Sequence, residues 1–428
     1  MSQISILKLS VSSSSAVEAK VKKKLKERLL KENLRWARAL AYLLLVGLSA
    51  PSFAVVTPNP PELAAKGYVL MDFQSGSIIA EQNSRAILAP ASLTKLMTAY
   101  VVGQEIKAGR LTWQDKVSVS ENAWSAKFSE SSKMFIQPRD EISVSNLMKG
   151  VIVQSGNDAS VALAEHIAGS EQAFVSLMNG WAKSLGLQDT NFVNAHGLDG
   201  EGIQTSPLDM AILMKSIIRD VPDVYALYQE RRFTWNKITQ YNRNKLLWDK
   251  SINVDGGKTG YTENAGYSLV SSATEGKMRL ISVVMGTTSP QARTSASKNL
   301  LSYGFRFYDT KQVMQEDRIE SQVRVWKGNT EQVGAKITED AYLTMPRGLV
   351  DSLQKSVVMT EPLLAPIKQG DEVGKVVWKS NGNTVASFAL VAEQSVEQGT
   401  WIVRLWDSIQ LWLRGLFSDL VGRIEVSE

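Results

Sequence analysis

Ser92 and Lys95 stand three residues apart in Pro90-Ala91-Ser92-Leu93-Thr94-Lys95, at the head of an apolar stretch that includes Leu96, Met97, Tyr100 and Val101. The pattern predicts the first turn of a buried helix. Residues three apart share a helix face, so a hydroxyl and an amine would lie side by side. A serine hydroxyl is a weak nucleophile until a neighbouring base takes its proton. Lysine can be that base once burial or nearby positive charge lowers its pKa. A helix start also offers free backbone N–H groups and the positive end of the dipole, both suited to an oxyanion. Alone, S-x-x-K is more often a helix cap followed by a solvated lysine.

Two further short motifs change that balance. Ser155-Gly156-Asn157 falls in a break between helical stretches, where a hydroxyl and an amide can point into a cleft. Lys258-Thr259-Gly260 opens a strand after Asp255-Gly256-Gly257, read as a flexible lead-in, and Gly260 permits close approach of a ligand or backbone. Each is ordinary loop or turn chemistry by itself. In this order in one chain they form a specific set.

The elements that must hold these residues can be read from periodicity. Residues 67–80 alternate around Gln74-Ser75-Gly76 and predict a β-hairpin. The Ser92 helix should run to about residue 107. Polar, irregular sequence over 117–138 suggests surface loops, and helices are expected over 147–153, 158–167, 171–185 and 206–219. Strands follow at 266–273 and 279–286, then a closing helix at 292–307. From about 313 the texture becomes short alternating strands, with Asn381-Gly382 as a strong hairpin turn. Residues 400–424 carry Ile402, Leu405, Trp406, Ile409, Trp412, Leu413, Leu416 and Leu420 at helical spacing. Arg404, Asp407, Arg414, Asp419 and Arg423 interrupt any continuous apolar run, so the segment suits a helix lying in a membrane interface, with its arginines at anionic headgroups, rather than a span. The alternative is a helix packed on the protein's own core.

The chain has 428 residues with 48 Lys or Arg and 43 Asp or Glu. Ten of the basic and three of the acidic residues lie in the first 54, leaving 38 and 40 for the rest. The basic excess belongs to the leader, and nucleic acid is not implied. That leader ends its basic part at Arg38, continues with an apolar run over 39–48, and offers Ser52-Phe53-Ala54 as a cleavage site. This is the order of a secretory signal peptide. Two histidines and no cysteine argue against a metal site.

Taken together, the three motifs give the chain a likeness to a known family. It resembles the low-molecular-mass penicillin-binding proteins, the D-alanyl-D-alanine carboxypeptidases of the five/six type. The likeness extends through Gln154-Ser155-Gly156-Asn157-Asp158, His196-Gly197-Leu198-Asp199, Asn253-Val254-Asp255-Gly256, Lys258-Thr259-Gly260-Tyr261-Thr262, Ala265-Gly266-Tyr267 and Gly304-Phe305-Arg306-Phe307. It implies an antiparallel sheet with a helical cluster in the manner of serine transpeptidases and β-lactamases; with the alternating strands beyond 313 and the last segment, the expected fold is α+β with a small all-β domain and a C-terminal amphipathic helix. The expected division is 1–54 signal peptide, 55–312 peptidase domain, 313–399 all-β domain and 400–428 anchoring helix. The resemblance further implies removal of the terminal D-alanine from peptidoglycan pentapeptides through an acyl-enzyme and acylation by β-lactams, with no cofactor; the leader and the last segment together suggest a place on the periplasmic face of the inner membrane.

Carried over residue by residue, Ser92 would be the nucleophile, Lys95 its base and Ser155 a proton relay to the leaving amine. Asn157 would bind the substrate amide and orient Lys95. Lys258 would depress the pKa of Lys95 and, with Thr259, hold the terminal carboxylate beside Gly260. Backbone N–H groups of Ser92 and Tyr261 would form the oxyanion hole, and Arg293 matches a family arginine near the carboxylate, unless it makes only a surface salt bridge. His166 reads as packing or surface, and His196 as structural. Tyr261 departs from the histidine that many relatives carry there. The alternatives are a β-lactamase, for which no Glu-x-x-Leu-Asn stretch is found after Ser155, and a non-catalytic wall-binding protein, for which an intact Ser92 and Lys95 would be superfluous.

Overall fold

The computed structural model describes residues 57–425, with side chains to 416, and six helical positions before them: Lys20, Lys23, Lys24, Lys26, Arg28 and Lys31. The expected signal-peptide run and cleavage site lie outside the described residues.

Strands β1 (Gly67–Asp72) and β2 (Ile78–Gln82) form the expected hairpin. Two small two-stranded antiparallel sheets follow in the chain, β3 (Lys116–Ser118) with β4 (Glu141–Ser143) and the hairpin of β5 (Arg232–Trp235) with β6 (Ile238–Tyr241). The main sheet is completed by β7 (Asn253–Thr262), β8 (Gly266–Glu275) and β9 (Met278–Thr287), in the order β2-β1-β9-β8-β7. All its pairings are antiparallel. Successive side chains point to opposite faces of a strand. Val69 and Met71 of β1 accordingly join the core under the helical cluster, whereas Tyr68 and Leu70 pack with Leu300, Leu301 and Phe305 of the Pro290–Phe307 helix. The topology leaves β7 at an edge, so the strand bearing Lys258, Thr259 and Gly260 has one side free of strand partners.

Two local expectations are corrected. Gly256 and Gly257 are no loop; they lie within β7, paired with Ser272 and Ser271 beyond a register shift at Val254/Gly256. The β5–β6 hairpin gave no turn signal because Asn236 and Lys237 adopt its left-handed turn conformations, φ 45° and 61°, without glycine.

The Pro290–Phe307 helix leads straight into β10 (Tyr308–Met314), which pairs with β13 (Ala341–Pro346). The second sheet runs β14 (Gln354–Met359), β16 (Glu372–Ser380), β17 (Asn383–Ala392), β12 (Gln332–Lys336), β11 (Ile319–Trp326), β15 (Leu363–Leu364). Its core, with Val323, Val333, Val376 and Leu390, is separate from the other two. A polar knot ties the β10–β13 pair to the first hairpin: Thr310 Oγ1 donates to buried Asp72 at 2.8 Å, and the hydroxyls of Ser75 and Thr344 meet at 2.7 Å.

The last helix is Trp401–Glu425. It docks on the β-domain, but by its polar side. Asp407 is buried, accepts from the backbone N–H of Lys327 and faces Arg324, whose guanidinium stacks 3.8 Å over the Trp326 ring and donates to Gln410 at 3.0 Å. At about 100° per residue, Trp401, Leu405, Ile409, Trp412 and Leu416 fall on the side away from Asp407. Trp401, Trp406 and Trp412 are 69%, 61% and 66% exposed. Arg404 and Arg414, expected to be free for headgroups, are bonded to Gln398 and Glu361, because they lie on or beside the docked face. The side chains of Leu420 and Arg423 lie outside the described residues. Among those described, no helix is long and apolar enough to cross a membrane.

Candidate active site

Ser92 sits in a 3-10 turn, Ala91–Leu93, that runs into the helix Thr94–Lys107. The turn presses on β7: a Cβ added at Gly260 would lie 3.0 Å from the Pro90 carbonyl oxygen. Gly260 is therefore a packing requirement between nucleophile turn and strand, as well as an approach for ligand.

Lys95 is fully buried one helical turn on. Its Nζ lies 3.2 Å from Ser92 Oγ, 2.7 Å from Asn157 Oδ1 and 2.5 Å from the His196 carbonyl oxygen. The last two partners can only accept. A protonated Lys95 satisfies all three with its three hydrogens. A neutral amine keeps two hydrogens for the two carbonyls, and its lone pair then faces the Ser92 hydroxyl. Burial lowers the Lys95 pKa from its ordinary 10.5 to about 7, with help from the charge of Arg243 and against the pull of Asp158. Lys258 and Lys95 repel one another as well, and that repulsion appears among the causes that lower Lys258.

Ser155 ends a π-helical turn, Gly150–Gln154, in the left-handed conformation with φ 60°, which swings its side chain out of the helical path. The helix Asn157–Ala168 starts immediately after it. Lys258 Nζ, buried, donates to Ser155 Oγ at 2.9 Å and to the Thr259 carbonyl at 3.0 Å. Burial first, then the charges of Lys95, Arg243 and Arg293, hold the Lys258 ammonium well below its usual range. Thr259 is buried beside it. Arg293 is also buried and, among the described residues, makes no salt bridge; its Nη1 donates to the Gly260 carbonyl at 3.0 Å and to that of Ser268 at 3.5 Å. Burial, then Arg243, brings its pKa down to about 10, which leaves it cationic at neutral pH.

Several supporting residues escaped the sequence reading. Asp158, in the first turn of its helix, is fully buried and accepts from the Met134 and Phe135 N–H groups at 2.8 and 2.9 Å and from Ser125 Oγ at 2.7 Å. It fixes the loop whose Ser131 Oγ receives Asn157 Nδ2 at 2.8 Å. The β5–β6 hairpin props the same loop from outside, Gln240 and Asn236 donating to the carbonyls of Lys133 and Phe135 at 3.0 Å each. Just beyond it, Arg243 donates to Ser132 Oγ at 2.6 Å. Asp158 had a faint signal as the acid opening a helix after Ser-Gly-Asn, but Arg243 is a loop arginine with none. His196 serves through its backbone: its imidazole Nδ1 accepts from Leu198 N–H at 3.1 Å, and burial, with the Lys95 charge next, drives its pKa down to about 3. It is a neutral structural group. His166 lies in the last turn of its helix, away from these contacts.

A serine within reach of a depressed lysine, a second serine held by a second lysine, and an arginine beside the strand edge define a serine acyl-transferring enzyme. A family model described as D-alanyl-D-alanine carboxypeptidase matches residues 54–289, and one described as penicillin-binding protein 5, C-terminal domain, matches 308–398. The chain is 45% identical over 370 residues to D-alanyl-D-alanine carboxypeptidase DacC of Escherichia coli (strain K12), covering 85% of this chain and 92% of that protein. It superposes on penicillin binding protein 5 from Haemophilus influenzae with a TM-score of 0.78 at 45% identity, over 80% of this chain and 100% of that one. Penicillin-binding protein D2 from Listeria monocytogenes, in its ampicillin-bound form, matches at TM-score 0.51 and 29% identity, over 58% of this chain and 99% of that one. The chain belongs to the D-alanyl-D-alanine carboxypeptidase family, and it is a serine-type D-Ala-D-Ala carboxypeptidase.

Proposed function

We propose that Ser92 attacks the carbonyl of the penultimate D-alanine while neutral Lys95 takes its proton, giving an acyl-enzyme and free D-alanine. The observation that carries this reading is the Lys95 environment, whose two carbonyl acceptors leave only the Ser92 hydroxyl for the amine lone pair. Ser155, hydrogen-bonded to Lys258, passes a proton to the departing amine. Lys258, Thr259 and Arg293 form the positive end of the cleft and receive the terminal carboxylate. Asn157 binds the substrate amide and aims Lys95. Backbone N–H groups of Ser92 and Tyr261 stabilise the tetrahedral oxyanion. The substrate is a peptidoglycan pentapeptide laid along the β7 edge. A β-lactam presents the same carbonyl and carboxylate and is expected to acylate Ser92, in keeping with the ampicillin-bound relative.

The test uses protein lacking residues 1–54. It should release D-alanine from a D-Ala-D-Ala peptide, and penicillin should leave a slowly hydrolysed adduct on the peptide containing Ser92. Fast penicillin turnover without D-alanine release would instead mean a β-lactamase, and peptide binding with neither reaction a wall-binding protein.

Export by the leader, with cleavage after Ala54, would place the enzyme on the periplasmic side, with the Trp401–Glu425 helix in the outer leaflet surface of the inner membrane. The support is the docked polar face and the outward row of Trp401, Leu405, Ile409, Trp412 and Leu416. Burying such side chains is worth roughly 1.5–3 kcal/mol each, ample for interfacial binding. Truncation after Gly399 is expected to release the protein from membranes with unchanged turnover of small peptides. A truncated, leader-free protein that still sediments with membranes would rule the helix out as the anchor.

A further inference from the structure

Tyr261 occupies an unusual position, next in chain to the carboxylate-binding edge yet 49% exposed. Its ring stacks on Tyr267, its antiparallel partner in β8, with centroids 4.2 Å apart and planes 24° from parallel. The Tyr267 ring in turn lies 5.5 Å from the Arg293 guanidinium carbon. Tyr261, Tyr267 and Arg293 thus form three consecutive layers, the outermost wet and the innermost buried. Arg293 has no carboxylate partner among the described residues. It is held by two main-chain carbonyls on one nitrogen and by the ring face of Tyr267.

We infer that the Tyr261 side chain is a positioning residue for the substrate's terminal carboxylate, acting through Tyr267 on Arg293; the inference rests on the carboxypeptidase reading above. A guanidinium is attracted to the negative face of an aromatic ring, and the attraction strengthens as water is excluded. Tyr267 alone is half-buried on the sheet surface, and its ring can rotate or hydrate. With Tyr261 stacked over it, the ring is pinned. Arg293 then keeps its remaining N–H donors directed toward the strand edge where the carboxylate arrives. A small or aliphatic residue at 261 keeps the backbone N–H that serves the oxyanion but removes the outer layer. The side chain therefore tunes recognition of the leaving residue and leaves the acyl-transfer machinery alone.

This makes a distinctive kinetic signature. The carboxylate contact exists in the bound substrate and in the transition state alike, so its weakening appears in KM, with kcat nearly unchanged. Tyr261→Ala is expected to raise KM for a D-Ala-D-Ala peptide about three- to tenfold, the scale of one stacked pair and a shared cation–π contact. Tyr261→Phe keeps the ring and should restore the original KM. The deciding measurement repeats the series with the C-terminal amide of the same peptide. The reading is the acid-to-amide ratio of kcat/KM: any effect through the oxyanion N–H falls on both substrates alike, whereas lost carboxylate positioning lowers the acid alone. An equal penalty on acid and amide, or none on either, overturns the inference, as does failure of Tyr261→Phe to rescue. Labelling of Ser92 by penicillin in every variant keeps this outcome separate from that of the catalytic assignment. Because Tyr261 is exposed on a strand whose register is set by its neighbours, matching melting curves are expected and guard against a folding artefact.

Discussion

Ser92→Ala and Lys95→Ala are each expected to abolish measurable D-alanine release while leaving the melting temperature within a few degrees of the parent for Ser92→Ala. Nucleophile and base act as one unit, so removing either forfeits most of what the pair contributes. General-base assistance alone is worth about 10²–10⁴-fold, and loss of the hydroxyl removes the covalent route altogether. Lys95→Ala should additionally empty a buried site where Asn157 Oδ1 and the His196 carbonyl lose their donor. A residual penicillin adduct on Ser92 in Lys95→Ala, formed at more than about a hundredth of the parent rate, would mean that another group takes the proton.

The pH profile of the unmodified enzyme follows from the same environment. The Lys95 pKa is depressed to about 7, so the amine is protonated below that pH and free as a base above it. Acylation should rise through about 7 and level off above, rather than rising near 10.5. The same shift acts on stability: between about 7 and 10.5 the unfolded chain binds the lysine proton and the folded protein does not. Folding therefore gains from rising pH over that window through this group. Stopped-flow acylation against pH reads the first effect directly. A rate flat from about pH 6 to 10 would remove Lys95 from the role of base.

What could be read in the sequence was local. Ser92 and Lys95 are one helical turn apart, so their side-by-side placement is a consequence of spacing. The β1–β2 hairpin, the helices at 171–185 and 206–219, and the Asn381-Gly382 turn show in periodicity and turn chemistry for the same reason. What could not be read is convergence from distant segments. Arg243 reaches the site through a hairpin whose turn lacks glycine, and its effect on Lys95 depends on a fold closing over 148 residues of chain. Asp158 organises a loop two dozen residues upstream through main-chain N–H groups, which carry no sequence signature. The C-terminal helix was legible as amphipathic, yet which face it would dock was not. The buried Asp407 reverses the usual pattern by seating a carboxylate on the β-domain and turning the tryptophans outward.

Gly197→Ala is expected to damage both the fold and the acylation step, and it couples the two. Gly197 holds φ +85°, where a Cβ costs about 1–2 kcal/mol. The added carbon would also fall 1.9 Å from the Ala91 carbonyl oxygen and 2.6 Å from Thr94 Oγ1. Backbone cannot give way cheaply here. Ala91 itself is strained at φ 48° to deliver Ser92, and the preceding His196 carbonyl is a ligand of the Lys95 amine. Either the nucleophile turn or the His196 carbonyl must move, and a displacement of the order of 1 Å costs about 10²-fold in rate. Gly186→Ala supplies the control, since Gly186 shares the left-handed conformation, φ 72°, with nothing within 4 Å of its added Cβ. It should lose about 1 kcal/mol of stability and acylate normally. A Gly197→Ala protein that melts like Gly186→Ala and reacts with penicillin at the parent rate would show that the loop is not clamped against the nucleophile turn in solution.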